Sequence, residues 1–508
     1  MRIKHSLFFC LLSSLATAKS FYVSTNGNDL NKGNHWFVPF KTLEKAQDAV
    51  RPGDTVHIMR GDYYAKSAFN FEVTRNGTEG KWIVYKNYLN HKPVLYSGSK
   101  GVIHVKSSHY ISFEGLILDV KNDWIDDAET NLQTGIAIQG VYEEPASHIK
   151  IYNCFIKNFK GPAIALENYD FITLSYNRFY NNAWDSKAAA VVLFTKAVET
   201  QSTQPYRNYI QSNVFEKNSI SKTTSQPVCN PVIKFEYSKS SLLPDQKHAL
   251  IYNNILYTNG GGGISIENGV AFLIMNNTHY KNAQQDSCEM PEIVISQSTN
   301  VLAANNIFFT SSAKPAGKIF NSVNTQFKNN LYYNFSSKES GENDIIADPE
   351  FELIDMEKNE YNFRLKGNSP AINAGIDEKI ADIDFEGNPR KFDLHTDLGA
   401  IEFMQRTLPS LKNLKAGPQS NKLKTYWSSL YLQAQKVYTL WNQEELPFTI
   451  RIYDPMGVLI HQDLFMGESS SSYEFDFSRY PNGIYTVVAL SNAGNYFDRV
   501  KIFPMKQQ

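Results

Sequence analysis

A chain of 508 residues exceeds what one ordinary hydrophobic core supports, so several domains or a repeating architecture are expected. A formal net charge of −1 excludes the strongly basic surface that would draw in nucleic acid or an anionic membrane. Tyr (29) and Phe (32) are abundant, which suits strand packing first and sugar stacking second.

Residues 1–18 read as a signal peptide: Arg2 and Lys4 precede the apolar run Leu7 to Leu12, and Ala16-Thr17-Ala18 is a small-residue cleavage site. No later run is long and apolar enough to span a membrane. Export permits disulfides. Cys10 leaves with the signal, Cys154 falls at a core position, and Cys229 and Cys288 are either a pair or two free thiols.

From about residue 150 a short pattern recurs: Asn, any residue, an apolar residue, two more, then Asn. It reads Asn153-Cys-Phe-Ile-Lys-Asn158, Asn177-Arg-Phe-Tyr-Asn-Asn182, Asn213-Val-Phe-Glu-Lys-Asn218, Asn254-Ile-Leu-Tyr-Thr-Asn259 and Asn277-Thr-His-Tyr-Lys-Asn282, with weaker copies at Asn306 and Asn330. A leading Asn every 23 to 41 residues indicates a solenoid with loops of variable length on its flank. Asn tolerates left-handed backbone in the turn, and stacked amides can bond from rung to rung.

An alternating strand follows most turns, as in Gly135-Ile-Ala-Ile-Gln139, Ala163-Ile-Ala-Leu-Glu167, Val232-Ile-Lys-Phe-Glu236 and Gly263-Ile-Ser-Ile-Glu267. Period two places Ile164, Leu166, Ile233, Phe235, Ile264 and Ile266 inside. It places Gln139, Glu167, Lys234, Glu236, Ser265 and Glu267 on one outer wall. The glycine run Gly260 to Gly263 reads as a tight corner needing positive φ. His248 and His279 have no partner visible in the sequence and read as structural. The acidic stretch Asn122 to Asp127, followed by Glu129, reads as a polar loop.

Several segments resemble a known family. Phe21 to Asp29, Pro39-Phe-Lys-Thr-Leu43 with a short helix to about Val50, Pro52-Gly-Asp-Thr-Val56, Arg60-Gly-Asp-Tyr-Tyr64, Gly77 to Gly80 and Lys92-Pro-Val-Leu95 form one series. It resembles the cap and first coils of the pectate-lyase-like right-handed parallel β-helix superfamily, and family 9 polysaccharide lyases most. The segments Asn368 to Gly375, Asp384 to Arg390 and Asp397 to Glu402 are similar to those that close the C-terminal end of such proteins. The resemblance covers about residues 20–403 and implies a solenoid over residues 19–403.

It also implies chemistry: a lysine base on the outer wall and Ca²⁺ held by an acidic cluster, which together eliminate across a uronate glycosidic bond. Lys234 stands where the family's lysine is expected, with Glu236 and Glu267 beside it. Glu167 and Asp185 are the candidate metal ligands, although Asn181 to Ala188 carries one Asp where the family has several. Trp184 and Tyr237 are candidates for sugar stacking, with Trp124 and Tyr206 behind them. The expected partner is a polysaccharide, an acidic one on this reading. A non-catalytic surface protein that binds glycan, and a hydrolase or epimerase on the same scaffold, remain open; hydrolysis would draw on Glu236 and Glu267.

After Phe403 the composition shifts to the Pro, Gly, Ser, Asn and Lys of a linker over residues 404–425. Residues 426–508 then read as a small β-sandwich: Phe448 to Tyr453, Val458 to His461, Ser472 to Phe477, Tyr480 to Val487 and Arg499 to Phe503. Ile452-Tyr-Asp-Pro-Met-Gly-Val458, Tyr480-Pro-Asn-Gly-Ile-Tyr485 and Lys501 resemble the C-terminal sorting domain of type IX secretion cargo. That resemblance implies engagement of outer-membrane secretion machinery, then release or attachment at the cell surface.

Overall fold

The computed structural model describes residues 18–120, 132–220, 229–236, 246–285, 288–311, 314–339, 341–377, 383–390 and 394–404, and the strands of a C-terminal module. The signal segment, the acidic stretch from Asn122 with Trp124, and Tyr237 lie outside the described residues.

Each turn of the chain lays one strand into a nine-stranded sheet (sheet I), one into an eleven-stranded sheet (sheet II) and a short one into a second eleven-stranded sheet (sheet III). One such coil runs Ile164–Glu167, Tyr169–Ser175 and Arg178–Tyr180, and the next begins at Val192–Thr195. All pairings between coils in these sheets are parallel and in register: Ile136, Ile164, Val192, Ile233, Ile264 and Ile293 form one column. The fold is a right-handed parallel β-helix.

Alternation puts Ile164, Leu166, Ile233, Phe235, Ile264 and Ile266 into the core, each at most 2% exposed. Like side chains then stack on like: Phe194 on Phe235 at 4.0 Å, and Phe179 on Phe215 at 4.5 Å. At the N-terminal end the helix Leu43–Ala49 closes the solenoid. Thr42 caps it by accepting from Lys45 N–H, and Leu43 and Ala46 enter the core.

The turn between sheets II and III contains a buried amide ladder. Asn177 Nδ2 donates to Asn213 Oδ1, and the chain continues through Asn254, Asn277 and Asn306 to Asn330, with links of 2.9–3.0 Å. Each of these oxygens also accepts the backbone N–H of the ladder residue one coil earlier. The ladder asparagines are not the left-handed residues. That conformation falls one position earlier, at Asn153, Tyr176, Ser212, Asn253, Asn276, Asn305 and Asn329. The sequence pattern is therefore one residue out of step in its first copy. Phe155 pairs with Arg178, so Cys154 rather than Asn153 occupies the ladder position. Cys154 is buried there, as expected.

A second ladder follows sheet III through Asn182, Asn218, Asn259 and Asn282, and ends on the buried carboxylate of Glu292. His279 Nδ1 lies 3.2 Å from that carboxylate, so the histidine has a partner after all and is structural because of it. His248 is likewise buried, 3.5 Å from Glu199.

Gly260 to Gly263 do not adopt positive φ. Glycine is required for a different reason: a Cβ on Gly260 or Gly261 would fall 1.9 Å from the carbonyl oxygen of Ser219 or Asn230. Asn230 lies against Gly261 and Met290 against Gly262, and beside this corner Cys229 and Cys288 are joined by a disulfide.

The segments expected to close the C-terminal end run back along the flank instead. Leu365, Ala371, Leu398 and Ala400 cover the outer face of sheet III at Ile255, Tyr280, Ile307 and Leu331. The left-handed asparagines anchor them over four coils. Asn329 donates to Ala374 O, Asn305 to Ile376 O, Asn276 to Asp397 O and Asn253 to Ile383 O. Arg390 bonds both Asn253 and Glu402 within this buried seam.

The C-terminal module has two antiparallel sheets. Lys424–Trp427, Lys436–Leu440 and Ser472–Asp476 form one, and Phe448–Tyr453, Leu459–Phe465, Gly483–Ser491 and Gly494–Ile502 form the other.

Candidate functional site

The outer wall of sheet I is two columns wide. One column runs Gln139, Glu167, Thr195, Glu236, Glu267 and Ser296. Beside it runs the column of Ala137, Ala165, Leu193, Lys234, Ser265 and Val294. Lys234 and Glu236 are thus carried by one strand, Ile233–Glu236, and Glu267 by the next coil directly beside Glu236. The structure brings these three together. Lys234 Nζ lies 2.5 Å from Glu236 Oε1 and 3.3 Å from Glu267 Oε1.

Lys234 is recessed, with 17% of its side chain exposed against 38% for each carboxylate. Burial pulls its pKa down, but the hydrogen bond that Lys234 donates to Glu236 and the charge of Glu267 outweigh burial and hold it above the ordinary lysine value. At rest Lys234 is an ammonium ion. Ser265, the next residue in its column, is outward in the strand pattern but only 3% exposed, so the wall is indented there.

Glu167 lies two coils from Glu236 in the same column, about 10 Å away at the strand spacing. Its partner is Lys196, at 2.5 Å. Asp185 lies in the loop that leads into sheet I, where it caps the short turn Ser186–Ala188 and sits 3.7 Å from Lys160. Glu167 ends its own strand, whose four residues alone span about 10 Å. The structure does not bring Glu167 and Asp185 together, and each faces a lysine. Among the described residues, no group of three or more His, Cys, Asp or Glu side chains is disposed to hold a metal ion. These residues do not fit the Ca²⁺ centre that the family resemblance implies.

Trp184 donates from Nε1 to Asn158 O at 3.4 Å, with Lys160 5.8 Å from the ring centroid. It belongs to the loop wall rather than to the strand face. Tyr206 lies 5.8 Å from Tyr209 on sheet II, away from this wall.

Sequence reading missed a second polar group on the same wall, nearer the N-terminus. His104 sits between Glu72 (3.4 Å) and Gln139 (2.9 Å), its ring stacked on Phe69 at 4.7 Å. The signal was present, because Glu72, His104 and Gln139 all fall on outward positions of sheet I strands. At the other end, Lys318 lies 4.6 Å from the half-exposed ring of Phe320.

Residues 21–190 match the Pel9A-like right-handed β-helix region. A relative in Bacillus subtilis (strain 168), the uncharacterized protein YwoF, is 32% identical over 149 residues. That stretch is 28% of this chain and spans 29% of the relative's length. Among solved structures, pectate lyase Pel9A superposes with a TM-score of 0.47 at 16% identity, covering 77% of this chain and 98% of that one. A GH136 lacto-N-biosidase from Eubacterium ramulus gives 0.43 at 13% identity, covering 65% and 68%. PfbA, a surface adhesin of Streptococcus pneumoniae, gives 0.33 at 13%, covering 59% and 87%.

Proposed function

We propose that this protein is exported and acts on a polysaccharide along the outer wall of sheet I, with Lys234 as the reacting base of a β-elimination. The observation that carries this reading is a recessed lysine at 2.5 Å from one carboxylate and 3.3 Å from a second, on a polar wall many coils long. Elimination requires Lys234 to be neutral when it takes the proton beside the sugar carboxyl group. Glu236 is the group placed to receive the ammonium proton beforehand. The C–H electron pair then forms the double bond, and the glycosidic oxygen leaves, taking the proton that Glu236 received. Export rests on the signal-like N-terminus and the sorting-domain motifs of the C-terminal strands. No helix among the described residues is long and apolar enough to cross a membrane.

A second reading, glycan binding without turnover, is favoured by the raised pKa of Lys234, which keeps it protonated while both carboxylates remain in place. One experiment separates the two. Full-length protein is incubated with pectate, alginate and glycosaminoglycans, and unsaturated ends are followed by ultraviolet absorbance. Product that vanishes in Lys234→Ala supports elimination. Reducing ends without unsaturation point to hydrolysis by Glu236 and Glu267. Their nearest carboxylate oxygens lie about 6 Å apart at most, a bound that admits the roughly 5–5.5 Å used by retaining glycosidases. Retained binding with no product supports the second reading.

A further inference from the structure

The loop that precedes the N-terminal helix holds large apolar side chains in solvent. Trp36 is 52% exposed, Phe37 65% and Leu30 93%. The loop is nonetheless firmly braced. Tyr22 N–H donates to Gly33 O (2.7 Å), Gly33 N–H to Val38 O (3.1 Å) and Val38 N–H to His35 O (3.1 Å). Gly33, at φ +64°, presses against the Phe40 ring so closely that a Cβ would lie 2.2 Å from it. Rings displayed on a fixed turn lose little conformational freedom when a ligand covers them.

These rings adjoin a polar surface that includes Lys86 and, beside His91 at the Tyr88 edge, Arg60. His35 lies 4.0 Å from Phe37 and 6.3 Å from Tyr22. Tyr22 in turn packs on His57 (5.1 Å) and Tyr88 (5.5 Å) on the outer face of sheet II. Burial and the charge of Lys86 bring His57 down to about 4, so at neutral pH the ring adds no charge here, and with Nδ1 buried the giving and taking of hydrogen bonds falls to the Tyr22 and Tyr88 hydroxyls. Burial, then Tyr88, hold the Tyr22 phenol protonated. Lys86 is offset by Glu114 at 3.4 Å. Apolar rings beside neutral groups that both give and take hydrogen bonds match a pyranose chain. Its C–H faces lie on rings and its hydroxyls need both kinds of partner. An anionic membrane would call for clustered lysine and arginine instead.

We propose that the surface from Trp36 and Phe37 through Tyr22 to Tyr88 is a second carbohydrate-binding platform, on sheet II and the loop beside it, whose ligand is a segment of polysaccharide. It goes beyond the reading of the Lys234 wall and stands without it. The test is isothermal titration of full-length Lys234→Ala protein with soluble neutral and uronic hexasaccharides, so that no turnover contributes. Trp36→Ala and Phe37→Ala in that background are each expected to weaken binding about tenfold. Both side chains are exposed, so neither variant should lose its fold, which circular dichroism checks. Tyr88→Phe keeps the ring and tests the hydroxyl separately. Undiminished affinity in both Trp36→Ala and Phe37→Ala overturns the proposal. So does the absence of saccharide binding, or saccharide binding by wild type that Lys234→Ala abolishes completely. Capture of the protein on phosphatidylcholine vesicles through Trp36, with no saccharide binding, would make the surface a membrane contact and equally overturn it.

Discussion

Replacing Asn254 by alanine should be among the costliest single changes in the solenoid. Its Nδ2 donates to Ile210 O (2.8 Å) and Asn277 Oδ1 (2.9 Å), and its Oδ1 accepts from Asn213 N–H and Asn213 Nδ2 (both 3.0 Å). All four bonds are lost, while its own backbone N–H keeps Asn277 Oδ1. The site is fully buried, so water cannot replace the missing side chain without opening the turn. Each bond is worth about 1 kcal/mol net, and the stranded Asn213 N–H adds a desolvation cost, giving about 3–5 kcal/mol in all. Chemical denaturation of Asn254→Ala against wild type measures this as a shift in midpoint at unchanged slope. A loss below about 1 kcal/mol at unchanged slope would show that the ladder contributes geometry rather than stability.

Four further outcomes are expected. Glu236→Gln together with Glu267→Gln removes the groups that hold the Lys234 pKa up, so burial should prevail and the ascending limb of any Lys234-dependent rate should move to lower pH; an unmoved limb would exclude Lys234 as the titrating group. Burial drives Glu402 up to about 8 despite Arg390, so its protonated form belongs to the folded state. The stabilisation it gives is complete below the unfolded carboxyl pKa, near 4.5, and is lost as pH rises through about 8, by up to about 1.4 kcal/mol per pH unit; Glu402→Gln should flatten that slope in thermal melts. Removing the Cys229–Cys288 bond by a double Cys→Ala change frees a loop of 59 residues, which chain entropy values at about 4 kcal/mol; a melting temperature indifferent to reductant would contradict this. Gly261→Ala must push back the Asn230 carbonyl, so soluble yield should collapse, whereas Gly80→Ala, with open space around it, should cost only the strain of its positive φ.

The solenoid was legible because its signals are local and repeated. Period two in Ile164 to Glu167 and in Ile233 to Glu236 predicted which side chains enter the core. It also placed Lys234, Glu236 and Glu267 on one wall, and register did the rest. What escaped depended on contacts between distant segments. The ladder slips by one at Cys154 because Asn153 carries the left-handed turn while a thiol takes the amide's place, and both positions look alike in the sequence. Glu292 as the terminus of the second ladder, and so the partner of His279, could not be found from spacing. Nor could the engagement of Glu167 and Asp185 by Lys196 and Lys160. The run Gly260 to Gly263 reads as a corner from its composition, but the reason lies in backbone from the neighbouring coils, which sequence does not show.

The anchoring of the returning segment has a bearing on how such a protein can change length. Asn253, Asn305 and Asn329 each donate to one strap carbonyl and Asn276 to two, so the strap acts as a ruler laid against four coils. Duplication or deletion of a coil within that span would put every later tooth out of step. Around Tyr176 and Ser212 the equivalent position holds no amide, and there a coil could be gained or lost without disturbing the ruler.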